Sequence, residues 1–356
     1  MQSLKWLTVV VLMLVAASSV PCWADPPATT GKSEKDENAS PPAAEPAESA
    51  TENTAAEEGA TEADPQVQPP EAAFVRLSRD EDENLVSMDT AIVRYIPSLP
   101  GREGLAVDLI GAIHIGDKSY YEALNEEFKQ YEVLLYELVA PQGTRVPEGG
   151  GDDRSALSGL QGGMKEILEL EFQLEQVDYQ PENFVHADMS PEDFARSMAE
   201  RDESVLTIFA RMMGQSILQQ SRQQGGGASD AELIAALFSR NRALKLKRIM
   251  AQQFEDLEQS MLAFNGPEGS TIITERNKVA LKVMEEQIAA GKQRIGIFYG
   301  AGHLPDMEER LENEFGLRMT QQRWLPAWDL RDKARRARQP AEEAPADAEP
   351  AEASAE

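Results

Sequence analysis

Two kinds of hydrophobic pattern alternate between residues 73 and 331. Short apolar runs, rich in β-branched and aromatic side chains, predict strands over Phe74 to Arg79, Val86 to Ile96, Leu105 to Ile113 and Val133 to Val139. Two more lie over Arg294 to Tyr299 and Arg318 to Leu325. Between them, apolar positions recur every three or four residues. Tyr121, Leu124 and Phe128 give this helical spacing to Asp117 to Tyr131, and Pro305 to Phe315 reads as a helix in the same way. The order strand, helix, strand therefore occurs twice, and an internal duplication would explain it. Parallel units of this kind put ligands beyond the carboxyl ends of their strands.

The middle of the chain, about 157 to 264, reads as a helical insertion. Ser190-Pro191-Glu192-Asp193 supplies a cap, a proline for the first helical position and first-turn acids, so a helix begins there. Ser229-Asp230-Ala231-Glu232 is a capping box that predicts one long helix to about Phe264, with Leu246, Ile249, Met250, Phe254, Leu257 and Met261 as its core stripe. A further helix is predicted over Thr274 to Ala290. Gly-rich Pro141 to Gly163 and Gln/Gly-rich Gln219 to Ala228 read as loops placed to gate a site. The fold class expected is α/β (α+β): a central mixed sheet flanked by helices, with two strand-GxxH-helix units.

Composition sets the ends apart. Lys5, the apolar stretch from Trp6 to about Val20 and Cys22-Trp23-Ala24 read as an export signal over residues 1–24, so a periplasmic or secreted protein with no stable membrane span after cleavage is expected. A retained anchor is the alternative, but the run is short of the roughly 18 residues a spanning helix needs. Lipid attachment at Cys22 is a further option. Residues 25–72 hold twelve acids against two bases and no aromatic side chain, and the end from Gln339 adds six acids and no base. Both read as disordered acidic segments. They account for more than half of the net charge of −28, which argues against nucleic-acid binding. Lys333, Arg335, Arg336 and Arg338 read as a solvated helix end. Cys22 is the sole cysteine, which excludes disulfides, thiolate metal sites and a cysteine nucleophile from a cleaved chain.

The chemistry therefore rests on histidine, of which there are three. Two share a context: Gly111-Ala112-Ile113-His114 and Gly300-Ala301-Gly302-His303 each close a strand-like run and open a helix. Imidazole suits proton transfer near neutrality and, when neutral, transition-metal binding. Glu137 lies toward the carboxyl end of the predicted strand Val133 to Val139. Arg276 lies in the first turn of a helix, where a cation opposes the dipole, so it has a specific partner, a carboxylate or a substrate oxyanion. Two imidazoles and a carboxylate suit a divalent transition metal such as Zn, Mn, Co or Fe. In that reading His114, His303 and Glu137 are the ligands, Glu137 alternatively the general base, and Arg276 with Asn277 steadies developing negative charge. Glu137 could instead pair structurally with Arg276. Gly111, Gly300 and Gly302 read as turns that let backbone approach a ligand, and Ser119 and Tyr120 as pocket lining or helix packing. His186, Asp188 and Glu275 form a second tier. For His186 and Asp188 structural hydrogen bonding is the first reading, with metal or substrate contact behind it. No serine sits in a nucleophile elbow.

The ordered set, a strand ending in G-x-x-H, a strand carrying Tyr136-Glu137-Leu138, a helix carrying Glu275-Arg276-Asn277 and a second G-x-x-H before Leu304-Pro305, resembles the TraB/PrgY/GumN family. That family belongs with the TIKI proteins, reported as metal-dependent peptidases. The resemblance covers most of Ala73 to Leu330 and implies a sheet flanked by helices, similar also to erythromycin esterases and haem-binding ChaN proteins. The family's characteristic residues fall on Gly111, His114, Glu137, Arg276, Asn277, Gly300 and His303. The middle helices depart from the family pattern, so substrate choice does not carry over.

The expectation is a metal-dependent hydrolase acting on a peptide or small-molecule substrate. A metal-free, histidine-based esterase and a non-catalytic module binding haem, metal or peptide are the alternatives, followed by an interaction role for the acidic tails. Oligomeric state is not legible in the sequence.

Overall fold

The computed structural model describes residues 73–144, 146–150, 167–204, 230–252 and 269–332. The export segment, the acidic leader, residues 333–356, Gln219 to Ala228, most of Pro141 to Gly163 and the stripe positions Phe254, Leu257 and Met261 lie outside them.

In chain order the elements are β1 (Val75–Arg79), β2 (Leu85–Pro97), β3 (Ala106–Ala112), β4 (Ile115–Gly116), α1 (Lys118–Glu127), β5 (Val133–Tyr136), β6 (Glu171–Phe172) and α2 (Gln173–Gln176). Then come β7 (Phe184–His186), α3 (Pro191–Glu200), α4 (Asp230–Leu237), α5 (residues 242–252), α6 (Arg276–Ala289), β8 (Arg294–Gly300), α7 (Leu304–Asn313) and β9 (Leu317–Asp329). The architecture is mixed α/β, a central mixed sheet of seven strands with helices about it.

The sheet has two halves. The long strand β2 pairs with β9 along one edge. Its other edge takes β1 over its first half and β3 over its second, all antiparallel. Beyond β3 the strands run parallel in the order β3, β8, β5, β7. Parallel strands are covered on both faces and read as continuous apolar runs. Val133–Tyr136 and Ile295–Tyr299 are buried at every position. At Gly296 a Cβ would stand 2.7 Å from Leu134 Cδ1 and 3.0 Å from the Tyr131 ring, so only glycine lets β5 side chains cross β8 there.

Several expectations are corrected. The two strand-helix-strand units differ in where their last strand pairs: β5 lies beside β8, whereas β9, pointing the same way as β3 and β8, pairs antiparallel with β2. The second unit therefore ends in the antiparallel half of the sheet, and the first in the parallel half. The insertion is not purely helical, since β7 adds to the sheet edge beside β5 and β6 pairs with β4. These two- and three-residue strands owe their form to pairing partners distant in sequence, which no local pattern reveals. The long helix from Ser229 is broken at 238–241. There Ser239 N closes on Ala236 O, and Ser239 Oγ accepts from Asn241 N, a local bond that competes with the helix ladder. The strand predicted to Val139 ends at Tyr136.

Ser190 caps α3 as predicted, its side chain accepting from Asp193 N with Pro191 in the first turn. The helix expected from Thr274 is preceded by a π turn, Thr271–Glu275, capped by Ser270. Such turns are rare and occur mostly at functional places. This one delivers Arg276 into the protein interior.

Candidate functional site

Parallel pairing decides the site. Four neighbouring strands running one way put their carboxyl ends along a single edge of the sheet. His114 follows β3, Gly300 to His303 follows β8, Glu137 follows β5, and His186 to Asp188 ends and follows β7. The register holds these ends level, with Ala112 opposite Gly300 and Tyr136 opposite both Phe298 and His186.

Arg276 is the hub. Its Nε donates to Asp188 Oδ1 at 2.9 Å, and its Nη2 donates to Asp188 Oδ2 at 2.6 Å and Glu137 Oε1 at 2.7 Å. Its Nη1 lies 3.4 Å from His303 Nε2. All four residues are buried, Asp188 at 1 % exposure and Glu137 at 9 %. A guanidinium fork between two carboxylates is the geometry that makes such burial tolerable. Burial opposes ionisation of Glu137. The Arg276 cation, both imidazoles and the Gly300 N–H, which donates to Oε2 at 2.7 Å, outweigh it and hold the carboxyl well below the usual range. The partner expected for Arg276 is thus a pair of carboxylates, and the structural pairing of Glu137 with Arg276 is present.

Asn277 fixes the state of His303. Its Nδ2 donates to His303 O and Asp306 Oδ2, so its Oδ1 must face the ring, where His303 Nδ1 lies at 2.7 Å. Nδ1 is then the protonated nitrogen, and Nε2 presents a lone pair toward Glu137 Oε1 at 3.6 Å and Arg276. Burial, with the Arg276 cation beside it, lowers the ring's pKa to about 4 despite the opposing pull of Glu137. Asn277 is a positioning residue, all its polar side-chain atoms being engaged, and not a free donor for a developing charge.

His114 is the ring of the pair that keeps partial solvent access. Burial lowers its pKa, Glu137 raises it and Arg276 lowers it again. Its loop is held carbonyl by carbonyl. Tyr120 Oη donates to Gly111 O at 2.9 Å, Tyr121 Oη to Ile113 O at 3.0 Å, Gln173 N to His114 O at 2.9 Å and Trp328 Nε1 to Ile115 O at 2.7 Å. Gln173 Oε1 favours the protonated His114 ring, yet meets no described partner in full hydrogen-bond geometry.

The two histidines do converge. A Cβ placed on Gly300 would stand 3.2 Å from Glu137 Oε2, 3.7 Å from His303 Cδ2 and 4.0 Å from His114 Nε2. Gly300 is therefore the floor around which three candidate groups gather. Gly111 instead serves the sheet, its missing Cβ leaving room for Ala91 O at 3.2 Å. Gly302 lies in the one-turn helix Ala301–His303. Ser119 is exposed, and Tyr120 is buried in helix packing and loop support. Glu275 turns outward to Arg201 and Lys278. His186 binds Leu138 O, consistent with a structural role. Asp188 stands in the cluster itself, a place its second-tier reading understated. No local pattern marked it, since β7 before it forms only by pairing with β5. Gln173 and Trp328 carried no local signal.

The donor set does not fit a divalent ion as folded. Both Glu137 oxygens are engaged, and the lone pair of His303 meets the guanidinium that bridges the carboxylates. Among the described residues no group of three or more His, Cys, Asp or Glu side chains has metal-holding geometry. The cluster already contains its own cation. Among the described residues no helix is long and apolar enough to cross a membrane.

Comparison with protein-family models, with curated proteins and with solved structures finds no match to this chain.

Proposed function

We propose that the strand-end cluster hydrolyses a carbonyl bond, an amide or ester, with peptide bonds the favoured substrate. The supporting observation is the convergence of His114, Glu137 and His303 around Gly300, with Arg276 holding the carboxylate ionised. His114, with partial solvent access and a lowered pKa, takes a proton from water attacking the carbonyl and returns it to the leaving nitrogen or oxygen as the C–N or C–O bond breaks. The charge it acquires is stabilised by Glu137, which favours the protonated ring. Arg276 supplies the preorganised cation of the site, and a fixed positive charge in a buried site is most effective against a developing oxyanion. His303, locked by Asn277, packs against the carboxylate and keeps it aimed. The resemblance to a family reported as metal-dependent peptidases supports peptide bonds as the substrate.

A metal-assisted form of this chemistry would require Arg276 to withdraw from Glu137 and His303. Cleavage of a peptide mixture and of small esters by the purified full chain, with a chelator or with added Zn, Mn or Co, tests both forms. The expected result is turnover that survives chelation and falls at least about 100-fold in His114→Ala, since general base catalysis contributes about 10²–10⁴. Turnover abolished by chelator and restored by one metal overturns the metal-free form. Ligand or haem binding with no turnover overturns hydrolysis in favour of a binding module.

A further inference from the structure

A second feature lies beside the His114 loop. A cavity of about 290 Å³ opens at the start of α5, with Arg240, Arg242, Lys247 and Arg331 among its lining and Glu169 as its one acidic side chain. Four cations around one small cavity stand out in a chain of net charge −28. Lys247, 4 % exposed, is bonded to Asp117 at 2.6 Å, and Arg331 is bonded to Asp329 at 3.1 Å. Arg240 and Arg242 have no acidic partner among the described residues. Both guanidinium groups are exposed at the cavity.

The cavity adjoins the candidate site through two connections. Asp117, the partner of Lys247, follows His114 by three residues, a span of at most about 10 Å of chain. Glu169 precedes Glu171, which pairs with Gly116 in the β4–β6 ribbon.

We propose that this cavity is an anion subsite, binding a carboxylate or phosphate at one end of the substrate whose carbonyl lies at His114; the substrate role rests on the hydrolase reading. Guanidinium groups recognise both anions by paired N–H donors, and the first turn of α5 adds its dipole. A volume of this size takes an anionic group with little more than one side chain attached.

The test uses full-length protein carrying His114→Ala, so that binding is read without turnover. A labelled pentapeptide with a free C-terminal carboxylate, its C-terminally amidated twin and inorganic phosphate as competitor are titrated by fluorescence anisotropy at two salt concentrations. The acid should bind at least tenfold more tightly than the amide, weaken with salt, and lose its preference when Arg240→Ala and Arg242→Ala are added. Arg240→Lys with Arg242→Lys, retaining charge, should keep part of it, which separates lost recognition from lost folding. Equal binding of acid and amide with competition by phosphate assigns a phosphate-bearing group as the occupant. Equal binding without phosphate competition, or a preference that survives the double alanine variant, overturns the subsite. Wild-type turnover without any anion preference removes the subsite alone. Anion preference without turnover removes the hydrolase reading and leaves the anion site standing.

Discussion

Replacing Arg276 by methionine tests the logic of the cluster most directly. The side chain is of similar length, so the main loss is the cation. It removes the bonds to Asp188 at 2.9 and 2.6 Å and to Glu137 at 2.7 Å, leaving two carboxylates at 1 % and 9 % exposure without their shared partner. Breaking a buried ion pair from one side costs about 3–5 kcal/mol, because the remaining charge stays desolvated. With a urea m-value of about 2 kcal/mol/M, the unfolding midpoint should fall by roughly 2 M. The loss should also depend on pH. In the wild type the Glu137 carboxyl sits below its unfolded value, so its contribution is present above about pH 4.3 and is lost as pH falls toward the folded value. In the variant, burial acts on Glu137 without the guanidinium, so its ionised form is the costly one. The second effect shrinks the gap between variant and wild type as pH drops from 7 to 4, and the first adds to it only below about pH 4.3. Urea melts at intervals across that range give the gap, and adding Glu137→Gln and Asp188→Asn to the variant should recover part of the loss. A midpoint shift worth less than about 1 kcal/mol, or a gap constant from pH 7 to 4, would refute the buried-cation account.

Three further outcomes follow from the same geometry. His303, with its pKa lowered to about 4, should titrate there in NMR spectra. Because its folded value lies below the unfolded one near 6.5, stability is fully present above that pH and declines, by on the order of 3 kcal/mol, as pH falls to about 4; titration at the unfolded value would contradict its burial. Asn277→Leu should lower kcat about tenfold or more with little change in KM, since it frees the His303 tautomer without touching substrate; equal rises in KM would argue for direct contact. Gly300→Ala suits the local backbone, whose φ is −48°, but places a Cβ 3.2 Å from Glu137 Oε2, so activity should collapse with a melting-temperature change of only a few degrees. Unchanged activity would show that the three groups do not work around that point.

The chain's periodicity by itself determined most of the strands and helices, because burial on one or both faces writes a period of two, a run or 3.6 into the sequence. It also singled out His114, His303, Glu137 and Arg276, since strand-end histidines, a carboxylate after an apolar run and a cation at the wrong end of a helix are each locally anomalous. The tertiary structure decided what no local pattern holds. Pairing order set β8 between β3 and β5, and so made residues from three distant segments neighbours. It sent β9 past β3 to pair with β2, and it recruited Phe184–His186 as an edge strand, which carried Asp188 to Arg276. The engagement of both Glu137 oxygens by Arg276 and Gly300 is likewise tertiary, since it depends on where a helix start and two strand ends meet in space. Residue type and spacing name the chemical groups available, while distance, burial and shared partners decide their charge state and what they can do together.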